Sequence, residues 1–196
     1  LNEGDRLELK ALKPEQKFTQ PPPRYSEATL VKALEENGIG RPSTYASIIG
    51  TILERGYALR QGQALVPTFT AFAVTAILEE HFPHLVDEKF TAGMEDKLDE
   101  ISEGKAEWLP YLREFYLGPE GLRQQVQLHE KQIDPTAART LLLDGLDAKV
   151  KIGKFGPYVE TGPKGHELRA SLPKDVAPAD LDQAQVEEIL RQKAEG

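Results

Sequence analysis

The residues best suited to chemistry lie between positions 38 and 45, in the run Gly-Ile-Gly-Arg-Pro-Ser-Thr-Tyr. Glycine is the usual residue just past a helix end, and proline with Ser or Thr is usual where a helix begins. The run therefore predicts a joint between two helices, with Arg41, Ser43 and Thr44 beside free backbone N–H groups. A cation, hydroxyls and helix N–H groups together can bind an anion such as phosphate. An ordinary capped helix start with a solvent-exposed arginine remains the alternative.

A second group of candidate residues combines cations with aromatic rings near the C-terminus. Lys154, Phe155 and Tyr158 stand in the run Gly-Lys-Phe-Gly-Pro-Tyr, which predicts a tight turn between two strands. Single-stranded nucleic acid is bound by such surfaces, because bases stack on the rings and phosphates pair with the cations. The alternative is that Phe155 and Tyr158 form the core of their own small module.

Signatures of bond-making chemistry are missing from the sequence. The chain has no cysteine, no Walker loop and no dinucleotide fingerprint, so disulfides and thiolate metal sites are excluded. Asp180 and Asp182 form a D-x-D pair, but they precede a predicted terminal helix, where acids favour the helix dipole. The four histidines lack the spacing of metal ligands: His81, His84, His129 and His166. We therefore predict no catalytic residue and no metal ligand in this sequence.

The charge is unevenly distributed along the 196 residues, whose net charge is −8. Residues 17–62 carry six bases and four acids, and residues 149–174 carry six bases and two acids. Between them, residues 79–114 carry eleven acids and four bases. The negative net charge argues against a generic nucleic-acid binder, but the two mildly basic zones could still contact nucleic acid locally. No apolar run approaches the roughly 18 residues of a membrane helix, and no signal peptide is present.

The first two-thirds of the chain predict helices around one hairpin. Helices are expected after Ser26 and near Ser43, followed by two short strands and a third helix capped by Thr68 or Thr70. Helix, turn, helix, hairpin, helix is the order of a winged-helix-like module, in which the second helix usually faces nucleic acid. Other small helical domains share this order.

Two further helices complete the helical part. The fourth helix has an apolar face and an acidic face. We interpret the acidic face as solvated, and a metal or acid/base site is the alternative. Its acids are Glu95, Asp96, Asp99, Glu100 and Glu103. The fifth is expected to bury an edge formed by Trp108, Leu112, Phe115 and Tyr116. Strands and a short terminal helix then predict a small module separate from the helical part.

Several long motifs, in order, resemble bacterial type IA DNA topoisomerases. They occupy residues 18–35, 38–49 and 90–99, followed by Trp108 and by Phe115-Tyr116. The tail runs at residues 153–158 and 170–173 look like the cysteine-free repeat that ends many of these enzymes. The resemblance implies a mainly α fold with short β elements, in which a winged-helix-like domain of the topoisomerase core precedes a small α+β C-terminal repeat. The implied parts are the end of the gate arch (1–22, with a strand at 7–9), the helical domain (23–118), a linker (119–145) and the repeat (146–196).

The resemblance also implies what the chain does. In this family a tyrosine in an Arg-Thr-Asp-Ser-like setting cuts one strand, and an acidic Toprim domain holds Mg²⁺. Neither motif occurs here, so we expect the nucleophile and the Mg²⁺ site outside this segment, no zinc in it, and no activity of the segment alone. The family's Gly-Arg-Pro-Ser-Thr motif contacts the single strand, which assigns DNA binding to Arg41, Ser43 and Thr44. Arg24, Lys154, Phe155 and Tyr158 are the other expected DNA contacts.

The expected whole protein relaxes negatively supercoiled DNA by transient single-strand cleavage and strand passage. Its partners would be DNA, preferably single-stranded, and the remainder of its own polypeptide with the Toprim and nucleophile domains, and no membrane. We expect a cytoplasmic location at the bacterial nucleoid, and a chain that starts at Leu1 suggests a piece of a longer protein. Two alternatives stay open: a free-standing winged-helix regulator that binds duplex DNA, and a protein-interaction module that docks through the acidic fourth helix.

Overall fold

The computed structural model describes residue 6, residues 10–163 and residues 165–195. The strand expected at residues 7–9 lies outside the described residues. The described helices are α1 (Glu27–Glu36), α2 (Tyr45–Glu54), α3 (Phe69–His81), α4 (Glu88–Ser102), α5 (Trp108–Leu117), α6 (Leu122–His129) and α7 (Gln183–Glu195). The described strands are β1 (Ala58–Gln61), β2 (Ala64–Pro67), β3 (Thr140–Leu141), β4 (Lys149–Gly153), β5 (Gly156–Thr161) and β6 (Leu168–Ser171). Among these helices none is long and apolar enough to cross a membrane.

The boundaries of α1 follow from side-chain and glycine signals. Ser26 Oγ accepts from the Thr29 N–H at 3.2 Å, and Thr29 Oγ1 accepts from the Ser26 N–H at 2.8 Å. This reciprocal pair satisfies two N–H groups that the helix start leaves free. The helix ends at Gly38, whose φ of 71° lets the Ile39 N–H reach the Leu34 carbonyl at 2.9 Å. Both ends agree with the prediction.

The hairpin and α3 follow in the predicted order. β1 and β2 pair antiparallel, with Leu59 opposite Val66. Thr68 caps α3, because its Oγ1 accepts from the Ala71 N–H at 3.3 Å and its hydroxyl donates to the Gly56 carbonyl at 2.7 Å. The succession of helix, helix, hairpin and helix is therefore confirmed.

The expected burial of α5 is wrong. Trp108, Leu112 and Tyr116 are 56%, 45% and 50% exposed. Phe115 is half-buried, and its ring stacks on Phe90 with centroids 6.3 Å apart. Periodicity shows which side of a helix is apolar, but it does not show whether a neighbouring element covers that side.

The C-terminal sheet has the strand order β3-β4-β5-β6, antiparallel throughout. Val150, Val159 and Ala170 lie opposite one another in register and are buried on the same face. Val186 of α7 covers this face and is fully buried. The predicted strands and terminal helix are therefore present, although β3 falls within residues expected to be linker.

The sheet and the helical part share one hydrophobic core. Phe69 and Ala73 of α3 are 3% and 5% exposed and belong to the same buried cluster as Val150 and Val159. The Gln61 side-chain amide also donates to the Asp175 carbonyl at 2.9 Å. α3 therefore supplies part of the core of the C-terminal part, which packs on the helical part. The exact domain limits stay a prediction.

Candidate nucleic-acid interface

The joint between α1 and α2 is built around the backbone of Arg41. The Arg41 carbonyl accepts from the Thr44 N–H at 2.8 Å and from the Tyr45 N–H at 3.2 Å. The Thr44 hydroxyl accepts from the Arg41 N–H at 2.8 Å and donates to the Arg41 carbonyl at 3.1 Å. Pro42 has no N–H to satisfy in this first turn. Thr44 is thus engaged inside the joint rather than open to a ligand.

Ser43 is the polar group of the joint that remains available. Its side chain is exposed, and neither its hydroxyl nor its N–H has a hydrogen-bond acceptor among the described residues. A free N–H and a hydroxyl at a helix start are suited to a phosphate oxygen. The predicted anion site is therefore geometrically open at Ser43.

Arg41 is held on all sides by the protein. Nη1 donates to the carbonyls of Gly38 at 3.2 Å and Gly40 at 2.8 Å. Nε and Nη2 approach Asp99 Oδ2 at 3.0 and 2.9 Å, and Nη2 donates to Asp96 Oδ1 at 3.2 Å. The hydrogen bond that Arg41 donates to Asp99 is the main cause that raises the pKa of Arg41 above its ordinary value. Of the five N–H donors of a guanidinium, four make hydrogen bonds to protein acceptors here, so the solvent-exposed arginine of the alternative interpretation is not observed.

The acidic face of α4 is therefore only partly solvated. Asp96 and Asp99 bind Arg41, and Glu95 Oε1 accepts from the Gly40 N–H at 3.1 Å. The sequence alone did not indicate that these carboxylates contact the joint. The excess of acids on one face of the fourth helix was the available signal, but it did not indicate which cation they meet.

Glycine is required at position 40 for two reasons. Gly40 has a φ of 76°, where an L side chain is strained, and an added Cβ would lie 3.0 Å from Ile48 Cδ1 and 3.1 Å from the Tyr45 ring. We expect Gly40→Ala to lower the free energy of unfolding by about 1–2 kcal/mol. Urea denaturation followed by circular dichroism measures this change.

Gly50 provides the matched control within α2. It has no positive φ, and a Cβ there would meet no atom within 4 Å. Gly50→Ala should raise the free energy of unfolding by about 0.5–1 kcal/mol, since alanine is the better helix former. Equal effects of the two substitutions would contradict a strained joint.

Arg24 is bound to the C-terminal part of the chain. Its Nη2 lies 2.6 Å from Asp180 Oδ1, and its side chain is 35% exposed. Asp180 was expected to cap the terminal helix, but only Asp182 does so, since its Oδ1 accepts from the Gln185 N–H at 2.8 Å. Arg24 thus connects the two parts of the fold, and its role in DNA binding stays a prediction.

The β4–β5 hairpin presents an aromatic ring to solvent at its tip. Phe155 is 93% exposed, and Lys154 Nζ lies 5.8 Å from the centroid of its ring. The alternative that Phe155 belongs to the module's core is therefore wrong. Tyr158 is half-buried, with its ring against Gly153, where an added Cβ would lie 3.1 Å from a ring carbon.

One acid on this sheet face, Glu160, pairs with two of its three cations. Strand alternation and register place Lys149, Lys151, Tyr158, Glu160 and Arg169 on the face opposite the buried valines. Glu160 accepts from the Lys151 ammonium and from Arg169 Nε at 2.7 Å, and the Lys151 bond is the main cause that lowers the pKa of Glu160. Lys149 and Lys154 have no carboxylate partner among the described residues. Of these two, Lys154 lies beside the Phe155 ring at the hairpin tip.

No group of three or more His, Asp or Glu side chains that could hold a metal ion occurs in the described ranges.

The predicted DNA-binding residues form two clusters in the structure, the joint (Arg41, Ser43 and Thr44) and the hairpin face (Lys154, Phe155 and Tyr158). Arg24 lies in neither cluster.

Two family models match the chain in sequence order. The DNA topoisomerase model matches residues 1–113, and the topoisomerase C-terminal repeat model matches residues 144–196. Because the first match covers more than half of the residues, the chain belongs to the DNA topoisomerase family. The resemblance to bacterial type IA topoisomerases is confirmed.

Individual relatives agree with this assignment. The chain is 59% identical over 196 residues to DNA topoisomerase 1 of Synechococcus elongatus and 43% identical over 216 residues to that of Mycobacterium tuberculosis. All of the chain is covered in both alignments, but it spans only 22% and 23% of the relatives' length. A solved structure of full-length topoisomerase I from Thermotoga maritima matches with a TM-score of 0.65 at 33% identity, over 81% of this chain and 26% of that one.

Proposed function

We propose that this chain is the part of a type IA DNA topoisomerase that binds and positions single-stranded DNA. The observation that carries the proposal is Phe155, which is 93% exposed at a hairpin tip beside the Lys154 ammonium. An aromatic ring in full contact with water is unfavourable without a partner. A nucleic-acid base supplies such a partner, since stacking on a ring is tolerant of sequence.

The joint supplies the second contact in this proposal. The Ser43 N–H and hydroxyl are free of acceptors among the described residues and can bind a phosphate oxygen, and the Arg41 side chain, two residues earlier, is 29% exposed. Helix starts and arginines bind phosphates by charge-assisted hydrogen bonds. Such contacts read the backbone and not the bases, so the expected binding is tolerant of sequence.

The cleavage chemistry belongs elsewhere in the proposed whole protein. None of the six tyrosines of the chain stands in the context of the family's nucleophile. The whole protein would relax negatively supercoiled DNA by transient cleavage of one strand and passage of the other, with Mg²⁺ held by its Toprim domain. The remainder of the polypeptide is then this segment's partner, and the cytoplasm, at the nucleoid, its expected location.

The order of α1, α2, the β1–β2 hairpin and α3 also fits the proposed winged-helix-like arrangement. A free-standing regulator with the same arrangement would bind duplex DNA as a dimer with fixed half-site spacing. Membership in the topoisomerase family favours the single-strand role instead.

A covalent-trapping experiment tests the proposed division of labour. The chain is incubated with an end-labelled single-stranded oligonucleotide and Mg²⁺, and one aliquot is run natively and another after denaturation with detergent. We expect a retarded complex in the native sample and no labelled protein in the denatured one. A labelled protein band that survives denaturation would show that a tyrosine of this chain cuts DNA.

A further inference from the structure

Four of the five N–H donors of Arg41 make hydrogen bonds to protein acceptors, and Nη2, which carries the remaining N–H, lies 3.2 Å from an oxygen of Asp96 and 2.9 Å from an oxygen of Asp99. A phosphate oxygen that approaches Nη2 therefore competes with two carboxylates of the same charge. The acceptor that leaves most easily therefore decides how Arg41 can take part in DNA binding.

The four acceptor groups differ in how firmly they are held. The carbonyls of Gly38 and Gly40 belong to a backbone fixed by two positive-φ glycines, so they cannot move without remaking the joint. Asp99 accepts from Nε at 3.0 Å, its Oδ2 also lies 2.9 Å from Nη2 in an ion pair, and its side chain is 55% exposed. Asp96 makes one contact, at 3.2 Å, and its side chain is 78% exposed. Rotation of Asp96 into solvent would free one Nη2–H and leave the other three hydrogen bonds of the guanidinium in place.

We propose that Asp96 occupies the phosphate position of Arg41 in the DNA-free protein and is displaced by the strand, whereas Asp99 is a positioning residue that keeps the guanidinium oriented. This inference rests on the proposed single-strand binding at the joint. The carboxylate and the phosphate carry charges of the same sign and compete for the same N–H, so only one of them is bound at a time. Asp96 thus weakens single-strand binding.

Opposite effects are expected when the two aspartates are neutralised. Asp96→Asn should tighten binding of a single-stranded oligo-dT about two- to fivefold, the effect of an exposed ion pair. Asp99→Asn should weaken binding about two- to fivefold, because the guanidinium loses the ion pair that orients it. Glu100→Gln is the matched control, since it removes a charge from the same helix but Glu100 pairs with Lys97 rather than with Arg41. Its dissociation constant should stay close to that of the wild-type chain.

A double-mutant cycle by fluorescence anisotropy at fixed salt tests the mechanism. In an Arg41→Ala background, Asp96→Asn should no longer tighten binding, since the competition needs the guanidinium. Urea denaturation of each variant separates a binding effect from a loss of folding. Failure of the wild-type chain to bind would overturn the proposed function. Normal wild-type binding with an unchanged or weaker Asp96→Asn variant, or the same tightening without Arg41, would overturn the role of Asp96.

Discussion

Substitution of Phe155 by alanine should weaken the binding of single-stranded DNA by about 1–3 kcal/mol, or roughly five- to 150-fold in the dissociation constant. The reason is that the ring is 93% exposed and therefore open to stacking by a base. Fluorescence anisotropy with a labelled oligo-dT at low salt measures the effect. The free energy of unfolding should change little, because the side chain is outside the core.

Leu142 provides a matched control for Phe155 on the same C-terminal part of the chain. It is 77% exposed and apolar, but it has no ring on which a base can stack. Leu142→Ala should leave the dissociation constant unchanged. Equal weakening by the two substitutions, or none by Phe155→Ala, would mean that stacking at the hairpin tip does not hold the strand.

Substitution of Phe69 by alanine should lower the free energy of unfolding by about 3–5 kcal/mol. Phe69 begins α3 and is 3% exposed within the cluster shared with Val150 and Val159. Its removal leaves a cavity between the helical part and the C-terminal sheet, so both lose packing. Urea denaturation followed by circular dichroism measures the loss.

Phe72 provides the control on the same helix, because it is 41% exposed and lies three residues further on. Phe72→Ala removes the same number of atoms from a half-solvated position and should cost about 1 kcal/mol or less. A small effect of Phe69→Ala would contradict a core shared between the two parts.

Local signals made much of the fold predictable. Ser26 and Thr68 cap helices as expected, and Gly38 closes α1, because each acts on backbone groups only a few residues away. The hairpins could be predicted equally well, since a tight turn and the alternation of apolar and polar residues are local properties of the sequence. The two candidate clusters could be located for the same reason.

Contacts between distant residues were not predictable from one sequence. Arg41 meets Asp96 and Asp99, which follow it by 55 and 58 residues, and Arg24 meets Asp180, 156 residues away. Such pairs depend on how whole helices pack, which neither composition nor spacing defines. The exposure of α5 and that of Phe155 also required the structure, because burial depends on neighbours.

Arg41 shows how local sequence signals and contacts between distant residues combine at the site. Its position before Pro42 predicts a cation at a helix start, and the fold then surrounds that cation with two carboxylates and two carbonyls. The arginine is therefore oriented but not free.

The central claim is that this chain binds and positions single-stranded DNA. A comparison of its affinities for single-stranded and duplex DNA of the same sequence tests this claim most directly. Anisotropy titrations of the chain at several salt concentrations yield both affinities and their dependence on salt. We expect tighter binding of the single strand, with a slope of log K against log salt of about −2 to −3, because three or four phosphate contacts contribute roughly −0.7 each. Duplex binding as tight as or tighter than single-strand binding, or a slope near zero, would contradict a single-strand-positioning segment.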